Sequence, residues 1–267
     1  MLKDITLGQY FPGNTPVHRM DPRVKLVLLV LYIVALFLAG GIITYLIMFT
    51  LLCLGVVLSR IKPKAMLRGM KPVVFILVFT TILNMFYTPG EPLVQFWIFT
   101  ITKQGLRNAA FMVWRILMLI SCTFLLTYTT SPIQLTDALE RLMGPLKKLH
   151  VPVHELAMMM SIALRFIPTL IEETDKIMSA QRSRGADFDS GNLFQRAKAL
   201  IPLLVPLFIS AFRRADELAT AMECRCYHGG EGRTRMKVLR CRPSDVISLC
   251  CGVALCVGVG VLGRWGM

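Results

Sequence analysis

Charged residues are scarce in this 267-residue chain, and acidic ones are scarcer than basic ones. Asp, Glu, Lys and Arg together make up 17% of the residues, whereas hydrophobic residues make up 55%. Because soluble globular domains usually contain about 25% charged residues, this composition argues against an ordinary soluble domain. The 30 basic residues outnumber the 16 acidic ones and give a formal net charge of +14.

The basic residues do not form one continuous patch. They flank long apolar runs instead, which is the distribution typical of inner-membrane proteins. Nucleic acid is a conceivable partner for so basic a chain, but the spacing of the charges favours a lipid bilayer. We therefore predict a membrane protein with no nucleic-acid partner.

Motifs for nucleotide chemistry and for metal binding are also lacking. The sequence contains no G-x-x-x-x-G-K-[ST], so the chain is not predicted to bind or hydrolyse ATP. Its four histidines are scattered, and the two that are four residues apart, His150 and His154, are separated by Pro152, which disrupts a shared helix. No ionisable cluster lies at one membrane depth, so we predict no catalytic residue, cofactor or metal.

The eight cysteines do not indicate a disulfide framework. Three lie in a basic region that we assign to the cytosol, where thiols stay reduced: Cys224, Cys226 and Cys241. The other five lie in apolar runs: Cys53, Cys122, Cys250, Cys251 and Cys256. A metal site at Cys224-x-Cys226-x-His228 is the alternative, but it lacks a second Cys/His pair at zinc spacing.

Apolar runs long enough to cross a bilayer core, which needs about 20 residues of helix, are the main positive feature. The predicted spans are residues 24–39, 42–58, 72–87, 109–128 and 246–262. The Gly40-Gly41 pair predicts a tight hairpin between the first two. In the fifth span, Ala254 and Gly258 are predicted to let a neighbouring helix approach closely. We expect no cleavable signal peptide, because the first 23 residues are mostly polar.

The positive charges predict the orientation of these spans. The loop at 59–71 carries five basic residues and the amino-terminal segment carries Lys3, Arg19 and Arg23, whereas the Gly40-Gly41 turn carries none. The amino terminus and the 59–71 loop are therefore predicted to be cytosolic. The chain then divides into a four-span region (1–130), a cytoplasmic insert (131–243) and a last span with its tail (244–267).

Arg115 lies inside the fourth predicted span. A charge within the membrane indicates a functional site by default. Arg115 is, however, only about two turns from the outer end of its helix, so its side chain can reach the interface. We favour this structural interpretation.

Helix signals are strong in the insert. Ser131-Pro132 followed by Gln134 is a capping pattern, and two long amphipathic helices are predicted at about 151–184 and 192–225. Prolines should bend both long helices: Pro168, Pro202 and Pro206.

Near the amino terminus, Asp21 and Pro22 likewise predict the start of the first span. The predicted fold is an all-α polytopic membrane protein with about five transmembrane helices and long amphipathic cytoplasmic helices.

The two long helices have duplicated ends. "TDKIMSAQRSRGAD" (174–187) aligns with "ADELATAMECRCYH" (215–228), which places Arg184 opposite Arg225. An arginine is favourable at a helix carboxyl terminus, but this effect does not explain why the preceding ten residues are also repeated. Duplication suggests two similar receptors, such as the two subunits of a pseudo-symmetric dimer.

Small residues flank each arginine: Ser183 and Gly185 at the first end, Cys224 and Cys226 at the second. Small neighbours would let the guanidinium enter a groove on a partner. There it could form bidentate hydrogen bonds with a carboxylate or bond to backbone carbonyls.

These ends, "QRSRGAD" and "MECRCYHGGEGRTR", resemble the T component of energy-coupling factor (ECF) transporters, the vitamin and metal importers of the ABC superfamily. The opening "DITLGQYFPGNTPVHRMDPRVKL" resembles the same family, and the similarity extends over essentially the whole chain. The family often has Ala-Arg-Gly at both ends. This sequence departs from that pattern most at Cys226, where the backbone geometry after the second helix is in question.

The resemblance implies a non-catalytic membrane scaffold. Two cytoplasmic ABC-type ATPases would each bind one coupling-helix end, with Arg184 and Arg225 as anchors, and the unequal flanks favour a heterodimer. A separate membrane protein, the S component, would bind the substrate and pack against the apolar helices. The alternative is a stand-alone secondary transporter, which would need facing polar groups at mid-bilayer. The spans offer little beyond Asn84 and Arg115.

Overall fold

The computed structural model describes residues 10–87, 92–96, 99–188, 192–230, 239 and 241–264. Contacts divide the chain into two compact units. One, the insert unit, lies within residues 139–238, and the other, the membrane unit, lies within residues 8–138 and 239–267. These borders lie within nine residues of the predicted borders of the insert. The division into three regions stays a prediction.

Nearly all the described chain is helical. The α-helices are, in chain order, α1 (Pro16–Arg19), α2 (Pro22–Leu38), α3 (Ile42–Ser59), α4 (Pro63–Tyr87), α5 (Lys103–Thr129), α6 (Pro132–Leu142), α7 (Val153–Ser183), α8 (Leu193–Glu223) and α9 (Pro243–Arg264). A 3-10 helix spans Gly144–Leu149. Strands β1 (Pro92–Phe96) and β2 (Phe99–Thr102) form a small antiparallel hairpin, with Val94 opposite Ile101. This hairpin was not predicted.

Five described helices are long and apolar enough to cross a membrane: Ile42–Ser59, Pro63–Met85, Lys103–Thr129, Val153–Ser183 and Pro243–Arg264. The predicted class, an all-α polytopic membrane protein with about five spans, is confirmed. The observed set of five differs from the predicted set by one helix, because it includes α7 and leaves out α2. α2 has 17 residues. This is about 26 Å of helix, which is slightly short for a bilayer core. α7 qualifies by composition, so the cytoplasmic placement of residues 131–243 stays a prediction.

α2 and α6 begin at the capping residues that the sequence predicted. The Asp21 carboxylate accepts the backbone N–H of Arg23 at 2.9 Å, and Pro22 is the first residue of α2. At the start of α6, Ser131 and Gln134 exchange reciprocal hydrogen bonds of 3.4 Å. These bonds satisfy backbone donors that have no partner inside a helix.

The core of the membrane unit lies between α2, α3, α5 and α9. The hydroxyl of Tyr32 on α2 donates a 3.1 Å hydrogen bond to the backbone oxygen of Met48 on α3. Leu36 is fully buried, and Met118 on α5 and Val259 on α9 pack in the same cluster. Around this core, large apolar side chains remain exposed, as a bilayer-facing surface requires.

Glycines bring α9 close to α2. A Cβ on Gly263 would lie 2.4 Å from the backbone oxygen of Leu38, and one on Gly252 would lie 2.4 Å from a methyl carbon of Leu28. The predicted contact positions were wrong within this chain, because Ala254 is exposed and a Cβ on Gly258 would meet no atom within 4 Å. The rotation of α9 about its axis selects which small residues face α2, and residue size alone cannot reveal that rotation.

Arg115 is bound within the membrane unit. Its Nε donates a 2.9 Å hydrogen bond to the hydroxyl of Tyr45, and its guanidinium lies 5.5 Å from the ring centre of Phe37. These contacts agree with a structural role for Arg115, which is held by neighbouring aromatic rings.

We expect Gly263→Ala to destabilise the protein by roughly 1–3 kcal/mol, because the new methyl group would force two backbones apart. Gly258→Ala is the matched control in the same helix and should be neutral. Thermal unfolding of both purified variants in one detergent checks this. Equal shifts in the two melting temperatures would contradict the assigned α2–α9 contact.

Candidate functional site

The long helices α7 and α8 run in opposite directions within the insert unit. Glu173, near the middle of α7, accepts hydrogen bonds from Ser210 and Arg214 on α8. Further along α7, the Gln181 amide donates to the backbone oxygen of Pro202 at 3.4 Å. Because the residue numbers of the bonded partners decrease along α8 as they increase along α7, the two helices are antiparallel. Each has 31 residues, a length of about 46 Å.

The duplicated arginine ends therefore lie at opposite ends of this helix pair. Arg184 follows the last residue of α7, near the beginning of α8, and Arg225 follows α8. Gln181 is level with Pro202, so Arg184 and Arg225 are separated by roughly 35 Å along the pair. One compact receptor could not contact both, whereas two receptors or a large dimer could.

The first end closes with a Schellman turn, in which two backbone N–H groups bond back into the last helical turn. The N–H of Gly185 donates to the oxygen of Arg182, and that of Ala186 donates to the oxygen of Gln181, both at 3.0 Å. Gly185 has φ +86, in the left-handed region. Arg184 is thus the last residue before the reversal of the chain.

The second end has the same backbone arrangement. The N–H of Cys226 donates to the oxygen of Glu223 at 2.8 Å, and that of Tyr227 donates to the oxygen of Met222 at 3.0 Å. Cys226 takes the position of Gly185, with φ 53. Cysteine in place of glycine therefore preserves the turn at the second end, at a strain of about 1 kcal/mol. Arg184 and Arg225 hold equivalent positions.

All six predicted site residues are exposed: Ser183, Arg184, Gly185, Cys224, Arg225 and Cys226. Within the described part of the chain, neither Arg184 nor Arg225 has a hydrogen bond or ion pair from its guanidinium group. The backbone turns bond the oxygens of Gln181 and Arg182 at the first end and of Met222 and Glu223 at the second, and among the described residues the arginine side chains do not cap their own helices. Each guanidinium is available to a partner.

The segment after Arg225 folds back onto the start of α7, which the sequence did not indicate. A Cβ on Gly230 would lie 2.3 Å from the imidazole of His154, so this close approach requires glycine. The same imidazole contacts the Glu140 carboxylate at 2.9 Å. The only available signal was the Gly229-Gly230 pair, which was interpreted as a helix stop. This contact places the chain five residues after Arg225 against the start of α7.

Cysteines flank the arginine of the second end. Among the residues that the structure describes, no three His, Cys, Asp or Glu side chains are grouped so that they could hold a metal ion. Cys224, Cys226 and Cys241 are free thiols. The exposed side chains of this end include the Arg225 guanidinium and two small flanking thiols.

The two turns should respond oppositely to substitution. Gly185→Ala places a side chain at φ +86, whereas Cys226→Gly relieves a left-handed residue; each effect should be roughly 1 kcal/mol. We expect faster amide exchange at 184–187 in the first variant and slower exchange at 225–228 in the second. Hydrogen exchange with mass spectrometry measures both. Changes of the same sign would argue against equivalent turns.

Comparisons with known proteins give a consistent result. Residues 13–236 match the CbiQ family, described as "Cobalt transport protein". A protein of Ruminiclostridium cellulolyticum is 55% identical over 247 residues, covering 92% of each chain. One of Clostridium kluyveri is 51% identical over the full length of both, and one of Bacillus subtilis is 50% identical over 241 residues, 90% of this chain and 91% of that protein. All three are named "Energy-coupling factor transporter transmembrane protein EcfT".

Proposed function

The chain belongs to the CbiQ family, and from this membership we propose that it is the transmembrane T component of an ECF-type importer of vitamins or metal ions. The observation that carries the proposal is the similarity, 51% identical residues over the full length, to a protein named as that component. As a membrane subunit of a transporter, the chain is not an enzyme. ATP hydrolysis belongs to two cytoplasmic ATPase partners.

The two arginine ends are the docking points for these ATPases. Both present an exposed guanidinium on the same backbone turn, so two receptors of similar shape would fit them. A planar guanidinium with five N–H donors can bond a carboxylate or a set of carbonyls in a groove. The flanks differ, Ser183 and Gly185 at one end and Cys224 and Cys226 at the other, which favours two distinct ATPases.

The antiparallel helix pair acts as the connecting lever. Glu173 holds Ser210 and Arg214 near the middle of the pair, so displacement of one end is passed to the other helix. This role places residues 131–243 and the amino terminus on the cytoplasmic side of the cell membrane, in agreement with the charge distribution.

A substrate-binding S component is the third partner. α8 carries large apolar side chains that are exposed, including Phe208 at 62% and Phe212 at 69%. An apolar surface of this kind on a monomer is typical of a protein or membrane contact. The S component would pack here and follow the movement of the helices during transport.

A stand-alone secondary transporter is the alternative, and it is not favoured. Polar groups in the spans have local structural contacts: Asn84 donates to the backbone oxygen of Thr80 at 3.1 Å and contacts the sulfur of Met112. Arg115 is bound to Tyr45. These residues therefore do not form a facing pair that could bind a substrate at mid-bilayer.

We expect Arg184→Ala and Arg225→Ala each to weaken ATPase attachment about tenfold, and the double variant to abolish it. The loss follows from removing the guanidinium that each end exposes at its closing turn. Co-purification of the ATPases with the tagged chain, together with uptake in cells, measures the effect.

Arg165→Ala is the matched control, because Arg165 is also exposed on α7 but lies at neither of the two Schellman turns. It should leave assembly unchanged. Full assembly and full uptake in both single variants and in the double variant would refute anchoring by these arginines.

A further inference from the structure

Three charged side chains are buried at one end of the membrane unit, where α2 and α9 begin and α5 ends. Asp21, Lys25 and Asp245 are exposed by only 5%, 6% and 2%. Buried charges are retained only where other groups compensate them, because transfer out of water is costly. The proposed docking of ATPases at the arginine ends does not use these residues, so their arrangement needs its own explanation.

Lys25 joins three segments through its ammonium group. Its Nζ donates to the backbone oxygen of Thr129 at 2.9 Å, to the hydroxyl of Thr130 at 3.3 Å and to the backbone oxygen of His18 at 3.4 Å. These three acceptors use all three N–H bonds of the ammonium group. Thr129 is the last residue of α5, where backbone oxygens lack partners within the helix and favour a cation.

Asp21 and Arg23 bind the segment that precedes α9. The two side chains are paired through bonds of 3.1 and 2.8 Å, and the same guanidinium donates to the backbone oxygen of Leu239 at 3.0 Å. The Cys241 thiol lies 3.6 Å from the Asp21 carboxylate. Burial alone would raise the pKa of Asp21, but the hydrogen bonds from Arg23 outweigh burial and lower it, which keeps the carboxylate ionised.

Asp245 completes the arrangement at the start of α9. Its carboxylate accepts the backbone N–H of Arg242 at 2.9 Å and is almost fully buried. The negative charges of Asp245 and Asp21 partly offset the cost of burying the Lys25 ammonium. Asp21, Arg23, Lys25 and Asp245 are hereafter called the junction cluster.

Chain order gives this cluster its significance. Thr129 and Thr130 immediately precede α6, which leads into the insert unit at residue 139, and Leu239 is the first residue after that unit. The polypeptide therefore enters and leaves the insert unit through segments that the junction cluster binds. Lys25 holds the entry segment and Arg23 holds the exit segment, two residues apart on the same helix.

We propose that the junction cluster is a coupling element that fixes both connections of the insert unit to α2. Movement imposed on that unit then displaces the membrane helices together and is not absorbed by loose connecting segments. Displacement of the entry segment would leave the buried ammonium of Lys25 without acceptors, which is strongly unfavourable, and displacement of the exit segment would break the bond from Arg23 to Leu239. The inference rests on the proposed function, and it makes Lys25 and Arg23 positioning residues for energy transfer.

The test uses the full complex in proteoliposomes and compares ATP hydrolysis with accumulation of the substrate of the co-purified S component. Lys25→Met removes the three hydrogen bonds at similar side-chain length. We expect the assembled variant to hydrolyse ATP within about twofold of the unchanged complex, while substrate accumulated per ATP falls at least about tenfold. Lys25→Arg, which retains the charge, should recover part of this ratio.

Arg115→Met is the matched control, because it removes another partly buried cation of the membrane unit that lies outside the cluster. Its ratio of transport to hydrolysis should not change. If Lys25→Met does not assemble, Arg23→Gln replaces it, since Arg23 is partly exposed and its change removes the bond to Leu239. An unaltered ratio of transport to hydrolysis in the assembled variant overturns the coupling role. Absence of ATP-driven uptake by the complex without substitutions overturns the proposed function itself.

Discussion

The hydrogen bond from the Lys25 ammonium to the backbone oxygen of Thr129, 2.9 Å long and buried, is the interaction on which the membrane unit depends most. An ammonium group without acceptors would be very costly at this depth, so its partners must stay in place. Lys25 consequently holds α2 to the end of α5, and Arg23, two residues away on α2, holds the chain before α9. The helices themselves satisfy their own backbone groups, as a bilayer requires, and this contact specifies how they meet.

The arginine ends depend on a different constraint, which is the closure of a helix by its own backbone. Two Schellman turns satisfy the last carbonyls of α7 and α8, and each turn leaves one guanidinium exposed. Cys226 shows that the turn geometry is retained even where the residue is not glycine. The position of the arginine relative to the turn is therefore the common property of both ends, and the identity of the flanking residues is secondary.

Sequence reasoning located the starts of α2 and α6 and the ends of α7 and α8 because the responsible interactions are local, whereas α4 begins at Pro63, nine residues before the predicted span. Asp21-Pro22, Ser131-Pro132 and the duplicated arginine segments act through residues within about one turn of each other. It failed for contacts between distant segments: the glycines of α9 that face α2, the hairpin after α4 and the packing of Gly230 on His154. Those features depend on helix rotation and on the path of the chain, which leave no periodic signal.

The amino-acid sequence by itself determined that the protein is helical, that it lies in a membrane and that it carries two equivalent arginine ends. Hydropathy, capping and duplication are properties of short segments and can be recognised without coordinates. Only the tertiary structure decided that the arginines lie at opposite ends of an antiparallel pair, and that Lys25 and Arg23 hold both connections of the insert unit. The physical reason is that these partners, 21 residues apart in the helix pair and more than 100 apart in the junction cluster, meet through packing, which no local pattern encodes.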